Sequence, residues 1–195
     1  MKYSDKLTSS QSRKAMTMLL CCLASAGVIA GSIYSSSVHG DVPVWLHQYF
    51  MPESSVLTGM KHSFVSSALF LAAAYFMGLS ALGQPVGIAM AVYRGFGIGA
   101  ASASLYSAYG SAAVLKVMIL LLPEAMGVIF ISVIAVRELM RASRSVLRLW
   151  IYGELIDERA VDLKRYSLKF AVLLLLSLLI TLADGAVNVI YSRIG

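Results

Sequence analysis

The sequence predicts an all-α protein, a polytopic membrane helix bundle that forms a single domain over residues 1–195. Of its residues, 58% are hydrophobic and only 13% are charged, and the mean hydropathy is +0.77. A soluble domain usually carries about 25% charged residues, and a chain this short has too little interior to bury so much apolar surface. The apolar residues also fall in long blocks, each near the ~20 residues that cross a hydrocarbon core.

Five such blocks predict five membrane spans. The first, at about residues 15–34, follows a basic tail that contains Arg13 and Lys14. Basic residues before an apolar block are also typical of a cleavable signal peptide, but the length of the block and the presence of four more favour a signal anchor. The other spans are predicted at about residues 64–82, 86–106, 112–136 and 170–191.

Glycine and proline punctuate these spans. The sequence Gly83-Gln84-Pro85 predicts a tight turn between the second and third spans, because glycine permits unusual dihedrals and proline has no backbone donor. Pro123 lies within the fourth span, where a membrane helix tolerates a kink. A broken helix that lines a binding site, as in transporters, is the alternative interpretation.

The distribution of charge predicts the topology. The segment 137–169 carries eight basic and five acidic residues, whereas the segment 35–63 carries Lys61 against Asp41 and Glu53. Basic residues collect on the cytoplasmic side, so 137–169 is predicted to be a cytoplasmic loop and 35–63 an external one. The N-terminus is then cytoplasmic and the C-terminus external. This pattern explains the net charge of +6 without nucleic-acid binding.

Two pairs of charged residues fall inside the predicted spans. Arg94 and Glu124 lie at similar depths, Arg94 about 13 Å into the third span at ~1.5 Å per residue. Because a lone charge at that depth is costly, we expect either an Arg94–Glu124 pair between neighbouring helices or snorkelling of each side chain to an interface. Lys116 and Asp184 are a second candidate pair nearer the outer face, for which snorkelling is favoured.

The glycines beside Arg94 predict a crowded position for the third span. Gly95 and Gly99 have the small-residue spacing of closely packed membrane helices. Neither a dinucleotide fingerprint nor a phosphate loop fits here, because no strand precedes these glycines and no Lys-Ser/Thr follows them.

Four arginines continue beyond the fourth span at spacings of four, three and four residues: Arg137, Arg141, Arg144 and Arg148. This spacing places them on one helical face. They are expected either to meet anionic lipid headgroups or to form a docking surface for a cytoplasmic partner.

No pattern in the sequence indicates an enzyme. No serine lies in a G-x-S-x-G elbow with triad partners, and the spacing of His39, His47 and His62 fits no metal site. We expect no catalytic residue, no cofactor and no metal.

The segment 78–145 resembles the core of the stage II sporulation protein M family. The resemblance lies in the turn of Gly83 and Pro85, in the Arg94-Gly95-Phe96 run with Gly99, and in Leu122-Pro123 of the fourth span. An apolar run then ends in charged, helical residues such as Glu138. The number of spans and the N-inside topology are also similar.

The resemblance implies a non-enzymatic scaffold in the cell membrane. Such a protein anchors peptidoglycan-degrading enzymes at the sporulation septum, where the wall is remodelled during engulfment. The external loop and outer span ends would face these hydrolases. The alternative from the residues is a small transporter or channel subunit that uses Arg94, Glu124 and Asp184, for which a homo-oligomer would compensate the small size of one chain.

Overall fold

The computed structural model describes residues 2–37, 56–109, 122–152 and 163–194. Within these ranges the regular structure is entirely α-helical, so the predicted all-α class is confirmed. The helices are α1 (Lys2–Ser37), α2 (Val56–Gly78), α3 (Gly83–Tyr109), α4 (Leu122–Tyr152) and α5 (Leu163–Ile194).

Three of the described helices are long and apolar enough to cross a membrane, and their apolar segments are Lys14–Ser37, Gly83–Ser104 and Leu163–Val187. A shorter apolar segment, Ser63–Gly78, lies in α2. Large apolar side chains are exposed on the outer faces, as at Met18 and Phe76, which is the arrangement expected where lipid replaces water. These features are consistent with membrane localisation, while the count of five spans stays a prediction.

α2 and α5 run in opposite directions along their contact. At one end of the α2–α5 contact Met60 lies beside Gly185, and at the other end the hydroxyls of Tyr75 and Ser167 are 3.0 Å apart. The two helices are therefore antiparallel. One end of the bundle accordingly gathers the end of α2, the beginning of α5 and the second half of α4.

α1 and α3 run parallel and make direct backbone contact. Gly27 and Gly31 of α1 interlock with Gly95 and Gly99 of α3, because a Cβ added at any of these four positions would overlap a backbone carbonyl oxygen of the opposite helix. The hydroxyl of Ser32 donates a hydrogen bond across this contact to the carbonyl of Gly99, at 3.2 Å. Small residues at four-residue spacing permit such an approach.

The turn between α2 and α3 lies at residues 79–82, so the prediction that Gly83-Gln84-Pro85 forms the break is wrong by about one helical turn. α3 begins at Gly83, and Pro85 lies in its first turn. Proline is tolerated there because the first backbone donors of a helix have no intrahelical acceptor. Gly83 instead lets α4 approach, since its Cβ would lie 2.7 Å from the Cβ of Ser143.

The predicted loop 137–169 is mostly helical. α4 extends to Tyr152 and α5 begins at Leu163, so only the segment 153–162 separates them, and that segment lies outside the described residues. The physical reason is that burial continues along one face of α4 beyond the predicted span, at Leu139, Met140 and Ser143. These residues pack the helix onto the bundle and keep it regular.

Two further boundaries of the prediction meet the undescribed residues. Both ends of the predicted loop 35–63 are helical and belong to α1 and α2, and its middle, 38–55, lies outside the described residues. The first part of the predicted fourth span, 112–121, lies outside them as well. Pro123 is in the first turn of α4 as described, so a kink at this residue stays a prediction.

Candidate functional site

Arg94 of α3 binds a group of residues on α2. Its two terminal nitrogens donate to the hydroxyls of Ser66, at 3.3 Å, and Ser67, at 2.9 Å. The guanidinium carbon also lies 5.4 Å from the centre of the Phe70 ring, a cation–π distance. Ser66 and Ser67 are four and three residues before Phe70, so each of them is a neighbour of Phe70 on the surface of α2. Arg94 therefore connects α3 to α2 inside the bundle.

A narrow cavity borders this guanidinium, with space for about one water molecule. Four helices contribute to its wall, and its polar lining includes Ser132 of α4 and Ser177 and Thr181 of α5. The hydroxyls of Ser132 and Thr181 donate to carbonyls of their own helices, at 2.7 and 3.0 Å. The lining of the cavity is thus partly polar and partly apolar, and two of its hydroxyl groups already donate their protons to backbone carbonyls.

The predicted charge pairs stay predictions. The side chain of Glu124 and the whole of Lys116 lie outside the described residues. Asp184 is half-buried on α5, one residue before the contact of Gly185 with Met60. The described partners of Arg94 that sequence reasoning missed are Ser66 and Ser67, and a hydroxyl pair of this kind gives no distinctive signal in a serine-rich chain.

A second polar centre lies at the end of the bundle where α4 meets α5. The carboxylate of Glu138, with a side chain only 7% exposed, accepts a hydrogen bond from Lys169 at 2.6 Å. Arg141 and Arg137 approach the same carboxylate at 3.2 and 3.5 Å. One buried carboxylate therefore holds three cations.

The pKa of Glu138 reflects two opposing effects. Burial has the largest single influence and raises the pKa. The hydrogen bond from Lys169 and the positive charges of Arg141, Lys169 and Arg137 together outweigh burial, so the pKa lies below its ordinary value. Glu138 is consequently ionised in the folded protein at neutral pH.

The predicted arginine stripe is only partly an outward-facing surface. Arg137 and Arg141 both contact Glu138, whereas Arg144 is exposed and forms no ion pair with any residue that the structure describes. The side chain of Arg148 lies outside the described residues. The expected shared face therefore includes a structural ion-pair centre that the spacing of the arginines alone did not predict.

Part of that centre could have been found in the sequence. Glu138 is three residues before Arg141, and oppositely charged side chains at this spacing interact on a helix. Lys169 is 31 residues away along the chain, and its contribution depends on how α4 and α5 pack. No local pattern predicts it.

Aromatic residues join α5 to the end of α2 beside this centre. The hydroxyl of Tyr166 donates to the carbonyl of Tyr75 at 3.1 Å, and the two rings stack with centres 5.1 Å apart. Gly78 makes room for that hydroxyl, since a Cβ there would overlap it. Sequence reasoning missed this contact, because it too joins residues distant along the chain.

The remaining residues of the family resemblance lie where helices begin or meet. Pro85 and Pro123 are in the first turns of α3 and α4. Phe96 packs against Tyr34 of α1, with ring centres 5.6 Å apart. Among the described residues, no group of three or more His, Cys, Asp or Glu side chains could hold a metal ion.

Comparisons of the chain with protein-family models, with curated proteins and with solved structures give no match.

Proposed function

We propose that this protein is a non-catalytic membrane scaffold that anchors peptidoglycan hydrolases at the outer face of the sporulation septum. The proposal extends the resemblance of segment 78–145 to the stage II sporulation protein M family. The observation that carries it is the use of the resembling residues in contacts between helices. Gly95 and Gly99 close α3 onto α1, Gly83 closes it onto α4, and Arg94 binds α2.

These contacts support a scaffold because they make α3 a central and rigid element. Backbone packing at glycine leaves no side chain that could rearrange, and the two hydrogen bonds of Arg94 fix the rotation of α2 relative to α3. A rigid centre holds the ends of the helices at constant distances. A protein that positions enzymes on one side of a membrane needs this property, and it needs no reactive group of its own.

A small transporter or channel subunit is the second candidate, and the partly polar cavity beside Arg94 favours it. Transporters bind substrates near the midplane among discontinuous helices. However, the cavity has space for only about one water molecule. Passage of a solute would require α2, α4 and α5 to separate, or a second copy of the chain to complete a pathway. The scaffold therefore has the better support.

The test of the scaffold is site-specific crosslinking in native membranes at the onset of sporulation. A photoreactive amino acid is placed in the predicted external segment 38–55, and in the turn 79–82 as the matched control on the opposite face. We expect mass spectrometry to find peptidoglycan hydrolases attached to the first set only. Recovery of hydrolases from neither position, or equally from both, would contradict the proposal.

Proteoliposomes provide an independent test of the second candidate. The purified chain is reconstituted with potassium or chloride inside the vesicles, and efflux is compared with that from protein-free vesicles. We expect equal rates, because the cavity beside Arg94 has space for only about one water molecule. Efflux that exceeds the protein-free rate and disappears in an Arg94→Gln variant of unchanged thermal stability would favour the channel.

A further inference from the structure

The end of the bundle that contains Glu138 carries more positive charge than that carboxylate can neutralise. Four basic residues form a basic patch: Arg137, Arg141, Arg144 and Lys169. Among the described residues of this patch and its ion pairs, Glu138 is the single acidic group, so four positive charges stand against one negative charge. The excess is available to an anionic ligand.

Glu138 places two of these cations next to each other. Arg141 contacts both carboxylate oxygens through one nitrogen, at 3.2 and 3.4 Å, and Lys169 contacts one of the same oxygens at 2.6 Å. The ammonium of Lys169 and the guanidinium of Arg141 each have further N–H donors. Their side chains are 48% and 47% exposed, so these donors can reach a ligand outside the bundle.

Apolar surface adjoins the basic patch on the same helix. Lys169 lies near the beginning of the apolar segment Leu163–Val187, which is long enough to cross a membrane. Leu168, Val172 and Leu175 are each more than half exposed along this segment. A ligand with a phosphate at one end and acyl chains at the other matches both surfaces, whereas a free phosphate or a soluble protein would match only the basic patch.

We infer that the basic patch is a binding site for the headgroup phosphate of an anionic glycerophospholipid. Lys169 and Arg141 donate hydrogen bonds to the phosphate oxygens, and Arg144, about one turn further along α4, adds charge. The acyl chains lie along α5. This site is independent of the scaffold function proposed above.

Substitution of Glu138 distinguishes a defined lipid site from diffuse electrostatic attraction to anionic lipid. In a Glu138→Gln variant the protein gains one unit of positive charge, so diffuse attraction to anionic lipid would become stronger. A defined site would become weaker, because the carboxylate that holds Lys169 beside Arg141 is lost. The two explanations therefore predict changes of opposite sign.

The experiment measures lipid selectivity of the full chain in phosphatidylcholine bilayers. Spin-labelled phosphatidylglycerol and spin-labelled phosphatidylcholine are compared by the fraction of each label that the protein immobilises. We expect wild type to prefer phosphatidylglycerol, and Arg141→Gln and Arg144→Gln each to reduce that preference about fivefold, the factor that corresponds to ~1 kcal/mol per basic residue at a membrane surface. The matched control is Lys14→Gln, which removes one exposed positive charge from α1 and should leave the preference unchanged.

Each outcome decides the inference. An unchanged preference in Arg141→Gln and Arg144→Gln, an equal loss in Lys14→Gln, or a stronger preference in Glu138→Gln would overturn it. Displacement of the labelled lipid by inorganic phosphate alone would assign the site to free phosphate instead, and capture of the patch by a soluble protein in place of lipid would also refute it. Thermal unfolding shows whether each variant is folded. If Glu138→Gln does not fold, the lipid preference of Arg144→Gln tests the inference, because Arg144 is exposed.

Discussion

Gly97 and Gly99 lie two residues apart on α3 and have opposite surroundings. A Cβ added at Gly97 would meet no atom within 4 Å, whereas a Cβ at Gly99 would overlap the carbonyl oxygen of Val28 and lie 2.7 Å from its carbonyl carbon. Substituting alanine at each position therefore adds the same methyl group to the same helix. Only the contact with α1 differs between the two variants.

The expected magnitudes follow from what the methyl group meets. At Gly99 it meets backbone, which cannot rotate away like the end of a flexible side chain, so α1 has to shift along much of its contact with α3. Overpacking of this kind costs about 1–3 kcal/mol. At Gly97 alanine has open space and a better helix propensity, which gives between no change and a gain of about 1 kcal/mol. The Gly99→Ala variant should therefore be the less stable of the two by about 1–4 kcal/mol.

The assay is reversible unfolding in mixed micelles with increasing sodium dodecyl sulfate, followed by circular dichroism at a helical wavelength. The free energies of unfolding of both variants and of wild type are compared under identical lipid and detergent conditions. Equal stability of the two variants, or a larger loss for Gly97→Ala, would refute the backbone contact between α1 and α3. It would also remove the main argument that α3 is rigidly held.

Three further predictions concern the polar contacts. The pKa of Glu138 is lowered in the folded state from its ordinary value of 4.5, so the stabilisation of the fold by ionised Glu138 is fully present above that value and is lost as the pH falls through the folded pKa. In Glu138→Gln the melting temperature should therefore fall less steeply with acidification than in wild type. The same fall in both proteins would show that Glu138 is not the group responsible. A double-mutant cycle of Arg94→Met with Ser67→Ala should give a coupling of about 0.6–1.7 kcal/mol, as for side-chain hydrogen bonds in membranes, and additive unfolding energies would show that the bond contributes nothing. Tyr166→Phe should lower the unfolding free energy by about 1 kcal/mol, because it removes a hydrogen bond to a backbone carbonyl. Tyr93→Phe, at an exposed ring without a described hydrogen bond, should leave it unchanged. Equal effects of the two substitutions would count against the hydrogen bond of Tyr166.

The helical class was predictable from the sequence because it depends on composition and block length. Long apolar blocks leave few alternatives to helices in a membrane, where every backbone donor needs an internal acceptor. The residues at which the helices begin and end were less predictable. Gly83 and Pro85 are typical both of a turn and of the first turn of a helix, and the choice depended on Ser143 of α4, which packs directly against Gly83.

The polar centres were harder to predict because they depend on packing between distant segments. Arg94 was recognisable as a buried charge, but its serine partners lie 27 and 28 residues earlier in the chain. Likewise, the spacing of Arg137 and Arg141 predicts a common helical face, but it does not predict their contacts with Glu138, to which Lys169 also binds. Periodicity identifies which residues share a face, and only tertiary contacts determine what that face meets.

The role of the glycines and Arg94 in helix packing determines how genetic data on this protein should be interpreted. Substitutions at Gly95, Gly99 or Arg94 change contacts between helices, so a loss of function at these positions is expected to follow the loss of stability. Such a phenotype does not locate a partner-binding surface. Substitutions that do not lower the unfolding free energy, such as Gly97→Ala on α3 or Arg144→Gln in the basic patch, do carry that information. A partner or lipid surface is therefore identified by variants that lose binding while they retain wild-type stability.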